Sequence, residues 1–169
     1  MEPKDDFKKY FDSKEYITKI IGAENESEAP AGKAEKITNL ISLVTDPKNK
    51  SFKEETLLEL KKEKEGETLL LAIASPESIN NKHMLVAACW ESEINFSNYL
   101  PFFILLALDQ DYLVSLEAMT VISTMEGPFN MDHVKEGIKK VRAEQKKLTT
   151  EKAVLLNDLA ADLESFLTK

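Results

Sequence analysis

The chain of 169 residues is poor in the residues that make tight turns and cross-links: 5 Gly, 6 Pro and 1 Cys. So few turn-formers argue against an all-β fold, which would need many tight reversals. The single cysteine, Cys89, excludes an internal disulfide framework and a multi-cysteine zinc site. It lies in an apolar run, where a buried, inert thiol is expected. Long apolar runs are also missing. The longest, 100–108, is far short of the roughly 20 residues a membrane helix needs. The opening MEPKDDFKKYF has no apolar core of signal-peptide length, so a cytoplasmic protein is expected. Without such a signal the Asn-x-Ser/Thr triplets at Asn25, Asn49 and Asn95 carry no weight. Positive charge is scarce in the middle: between residues 66 and 126 stand eight acids and one base, Lys82, which is seven of the chain's eight net negative charges. A net charge of −8 disfavours general nucleic-acid binding and adsorption to an anionic membrane.

What is present is helical periodicity. At 43% hydrophobic and 31% charged, the chain can bury a core. Residues 5–21 carry Phe7, Tyr10, Phe11, Ile17, Ile20 and Ile21 at helical spacing, and GAENESEAPAGK at 22–33 reads as a linker. Residues 1–21 are therefore expected to form an N-terminal helix or arm, and residues 34–169 one all-α domain. Ile37, Leu40, Ile41 and Val44 share a face over 34–45, and Asp46-Pro47 ends that helix. Ser51-Phe52-Lys53-Glu54 fits a capping box, opening a helix whose apolar side holds Leu57, Leu58 and Phe52. TLLLAIA at 68–74 suits a buried strand or a buried helix; no partner strand follows, so helix is expected. A helix with Met84, Val86, Ala87, Ala88 and Trp90 follows the break at Ser75-Pro76. Ser97 or Asn98 caps the next, with Pro101 in its first turn. Over 112–125 the apolar side reads as Leu113, Leu116, Met119 or Thr120, and Ile122. The segments 131–148 (Val134, Ile138, Val141, Leu148) and 151–167 (Leu156, Leu159, Leu163, Phe166) read as a C-terminal helical hairpin.

The middle is self-similar. Met84 and Ala88 stand four apart, and Val114 and Ala118 repeat that spacing thirty residues on, each pair after an apolar run and a short break. One such unit cannot bury its own apolar face, so stacked neighbours are the physical solution. LPFFILLALDQDYLVSLEAMTVI has an apolar first helix, Asp109 at the turn, then Val114, Ala118 and Ile122 in the second helix. Here the chain resembles HEAT-like or armadillo-like repeat proteins over 34–126, chiefly over 96–126, more loosely over 68–92 and in outline over 34–64. It departs from them at Ser115, where a basic residue is common, and in its shorter period. The resemblance implies a short α-solenoid-like stack of HEAT-like helix pairs and a scaffold that binds other proteins. An irregular helical bundle is the alternative.

No Gly-rich phosphate loop, Gly-x-Ser-x-Gly or His-Glu-x-x-His occurs. His133 with Asp132 and Glu136 is too small a set for a metal site and reads as an ordinary helix start. His83 opens an apolar helix, where a capped or partly buried histidine is the ordinary reading. Cys89 and His83, six apart, fall on different helix faces, which argues against a nucleophile pair. No cofactor is expected. Trp90 sits at the edge of an apolar run beside Glu91 and Glu93. Lys135, Lys139, Arg142 and Lys146 recur at steps of four, three and four, forming a basic face.

These features lead to one expectation: a non-enzymatic helical-repeat adaptor that binds a protein or peptide partner, itself basic, through an acidic surface. Trp90, Glu91, Glu93, Asp111 and Glu117 are its candidate contact residues. A homodimer, joined through the basic face of a second copy, is compatible with the charge split. The alternatives are a small-molecule-binding or enzymatic helical domain with an interhelical pocket and, least favoured by charge, nucleic-acid binding through the 135–147 face.

Overall fold

The computed structural model describes residues 30–108 and 111–169. The expected arm at 1–21, most of the linker at 22–33, and Asp109 lie outside them. Among the described residues the fold is all-α, as expected: α1 Pro30–Thr45, α2 Lys50–Glu63, α3 Gly66–Ala74, α4 Lys82–Glu91, α5 Leu100–Ala107, α6 Tyr112–Ser123, α7 Met131–Gln145 and α8 Glu151–Phe166. Short 3-10 turns at Pro47–Asn49, Pro76–Ser78 and Ser97–Tyr99 join some of them. The chain divides into two compact units, one up to Ile94 and one from Asn95 on.

In the first unit α1 packs against α2, α3 and α4, and α3 packs on α4. Leu40, Ile41 and Val44 of α1 are buried, as their spacing predicts, together with Leu69, Leu70 and Ile73 of α3 and Leu85, Val86, Ala88 and Cys89 of α4. Helix α1 starts at Pro30, four residues inside the expected linker end. A proline suits a first helical turn, where its missing amide would have had no partner. The capping box at Ser51 does not form. Asp46 instead accepts from the Lys48 amide at 2.9 Å and opens a 3-10 turn that runs into α2 at Lys50, which leaves Ser51 inside the helix. The buried side of α2 is Leu57 and Leu60; Leu58 and Phe52 are exposed. This helix ends at Lys64 in the left-handed region (φ 58°), with the Glu65 amide donating to the Leu60 carbonyl at 2.9 Å.

In the second unit α5 packs on α6 and α7, α6 also packs on α8, and α7 and α8 form the expected hairpin. Helix α5 is apolar all round and buried nearly all round, as a central helix must be. Phe96, Phe102 and Phe103 cluster there, with ring centroids 5.5 Å apart for Phe96–Phe103 and 5.3 Å for Phe102–Phe103. The expected cap from Ser97 or Asn98 is absent: a 3-10 turn leads straight into α5, and Ser97 is engaged elsewhere. Its hydroxyl donates to Asn95 Oδ1 and accepts from the Gly127 amide at 2.8 Å, while Asn95 Nδ2 donates to the Gly127 carbonyl at 2.8 Å. This closed network ties the start of the unit to the α6–α7 connection, where Gly127 takes φ 85°. Asp111 and Asn130 cap α6 and α7, each side-chain oxygen accepting from two backbone amides. The seam of α8 (Leu156, Leu159, Leu163, Phe166) is buried as expected.

Candidate functional site

The five candidate contact residues fall in both units: Trp90, Glu91 and Glu93 at the end of α4, Asp111 and Glu117 on α6. At the end of α4 the acids meet lysines of α2. Glu91 pairs with Lys53 at 2.5 Å, and both side chains are partly covered. Glu93 pairs with Lys61 at 2.7 Å. The hydrogen bond from Lys61 and its positive charge hold the Glu93 carboxylate below the usual carboxylate range. Glu93 reaches this pair from a left-handed backbone (φ 54°), where α4 has already ended. So Glu91 and Glu93, which looked like an external charge signal, are matched by two lysines of the chain's own α2. Trp90 is 37% exposed beside these pairs, and the rest of its surface is covered.

Helix α6 is different. Its buried side is Val114, Ser115, Ala118, Val121 and Ile122. The repeat-like positions Val114, Ala118 and Ile122 therefore point inward, whereas Leu113 and Leu116, expected in the core, are 49% and 37% exposed. Tyr112, 40% exposed, lies one turn before Leu116. Three large apolar side chains thus share the outer face of one helix, with Asp111 at its start and Glu117 on its flank. The Asp111 carboxylate caps the helix, accepting from the Leu113 amide at 2.9 Å and the Val114 amide at 3.3 Å. That fixes the backbone from which Tyr112 and Leu113 project. Sequence reasoning missed this face because it assigned the leucines to the core. The signal available was surplus: α6 has more apolar residues than one buried side can hold.

The titratable candidates end in ordinary roles. Cys89 is buried, its thiol donates to the Leu85 carbonyl, and burial pushes its pKa far above the usual thiol range. A thiol held protonated is a poor nucleophile. Partial burial lowers the pKa of His133, with Asp132 opposing the shift. Among the described residues no three His, Cys, Asp or Glu side chains group so as to hold a metal ion, and no helix is long and apolar enough to cross a membrane. The chain matches no family model, no curated protein and no solved structure.

Proposed function

We propose that this chain is a non-enzymatic, cytoplasmic helical adaptor built from HEAT-like pairs, and that it binds a basic amphipathic protein segment on the outer face of α6. One observation carries the reading: Tyr112, Leu113 and Leu116 are exposed together on a single helix face. Large apolar side chains grouped in this way lose water-exposed surface on binding and serve as anchors. The acids favour a basic partner. Asp111 and Glu117 border the apolar group. Charges at such a rim set association rate and partner choice more than affinity. Glu91 and Glu93 have no part in this reading, because Lys53 and Lys61 already occupy them.

The test is fluorescence anisotropy with a labelled amphipathic peptide of leucine and lysine. Saturable binding that weakens about tenfold or more in Leu113→Ser/Leu116→Ser supports the reading, since 49% of Leu113 and 37% of Leu116 are at stake. Glu117→Lys is expected to slow association and flatten its salt dependence. Equal binding by all variants contradicts the proposal.

A further inference from the structure

Helix α7 carries a second exposed feature that the α6 reading does not use. Over 135–147 the chain has six basic and two acidic residues, within a protein of net charge −8. Lys135, Lys139 and Lys146 are exposed and, with Arg142, fall within one narrow band along the helix. At 1.5 Å rise per residue, Lys135 to Lys146 spans about 16 Å.

Some described lysines meet an acid and others do not; Lys48, Lys50 and Lys62 in the first unit are exposed and have no ion pair among the described residues. In the first unit Lys36, Lys53 and Lys61 each meet a glutamate of a neighbouring element. On α7, Lys135, Lys139 and Lys146 have no ion-pair partner among the described residues. Arg142 alone is tied down, its guanidinium donating to Gln145 at 3.2 Å, to Asn157 at 3.0 Å and to Glu164 at 2.9 Å. These bonds anchor the middle of the stripe to α8 and leave the three ammonium groups for an outside acid. The helix beneath is rigidly set: Val134 and Val141 are buried, and Gly137 lies against Ile104 of α5 and Leu163 of α8.

We infer that the outer face of α7 is a second docking surface, and that its occupant is an acidic peptide segment of a partner protein. Charge complementarity selects this chemistry. An extended acidic segment of about five residues covers the 16 Å stripe at 3.3 Å per residue. A duplex nucleic acid instead presents about one charge per 1.7 Å of its axis, a denser and longer line than four basic groups on this stripe can match. The adaptor then has two faces of opposite preference, an apolar one with an acidic rim on α6 and a basic one on α7. This second face stands whether or not α6 binds anything.

Anisotropy of a labelled glutamate-rich peptide at low salt tests it, with Lys135→Glu/Lys139→Glu/Lys146→Glu compared against Lys48→Glu/Lys50→Glu/Lys62→Glu. The two variants change net charge equally, at exposed positions only. Circular dichroism confirms that both keep their helix content. The stripe variant is expected to bind about tenfold more weakly or worse, and the control to change little, since three exposed ion pairs together reach that size. Equal losses in both variants would show a net-charge effect and overturn the proposal, as would the absence of saturable binding by the parent chain. Tighter, stripe-dependent binding of a DNA duplex or of phosphatidylserine vesicles than of the peptide would overturn the assigned occupant.

Discussion

A methyl group placed on α7 at Gly137 would meet the core at one identifiable atom. A Cβ there lies 2.5 Å from Ile104 Cδ1, 3.6 Å from Leu163 Cδ1 and 3.7 Å from Ile104 Cγ1. Only the first distance is intolerable, and Ile104 is fully buried, so its terminal methyl has little room to retreat. Gly137→Ala gains about 1 kcal/mol of helix propensity and loses about 1–3 kcal/mol by overpacking, so alone it is neutral to moderately destabilising. Ile104→Val removes the obstructing methyl and alone costs about 0.5–1.5 kcal/mol. Combined, the two cease to conflict: the new methyl occupies the vacated space and the propensity gain is kept. The double variant is then expected near parental stability, with a favourable coupling of about 1–3 kcal/mol. Urea unfolding followed by far-UV circular dichroism measures the cycle, with amide exchange in α5 and α7 as the local readout. Effects that add to within about 0.5 kcal/mol would refute the claim that Gly137 is required by the close approach of α7 to Ile104.

Two further outcomes follow from local geometry. Lys64 closes α2 in the left-handed region, so Lys64→Gly is expected to raise stability by about 1 kcal/mol, and a loss on urea unfolding would contradict the cap geometry. The lowered pKa of His133 means that the unfolded chain takes up this proton first; stability therefore rises with pH between the folded value and the unfolded value of about 6.5, and falls on acidification through that window. His133→Gln should flatten that part of the profile, and an NMR titration placing His133 above 6.5 would reverse the sign.

The all-α class and most helices were legible because apolar spacing at 3.6 residues survives without knowledge of neighbours. The seam of α8 and the inner residues Val134 and Val141 of α7 were read correctly for that reason. The side of α6 was not, because its spacing admits two apolar faces. Leucine is the stronger hydrophobe, yet the smaller Val114, Ala118 and Val121 are the ones buried. Helix starts were misread where a 3-10 turn leads into the helix, at α2 and α5, since a capping pattern does not reveal a preceding turn. The least legible part was charge. Glu91 and Glu93 lie more than thirty residues from Lys53 and Lys61, and nothing local in the sequence shows that these pairs meet. A count of acids along the chain therefore overstated the charge offered to a partner. The apolar outer face of α6 replaces it as the main support for an adaptor.

The most direct test of that claim is an amide NMR titration of the intact chain with the leucine–lysine peptide. The account predicts saturable shifts concentrated on Tyr112, Leu113, Leu116 and their neighbours on α6, abolished in Leu113→Ser/Leu116→Ser. Shifts centred on Trp90, Glu91 and Glu93 instead, or no saturable shifts at all, would contradict it.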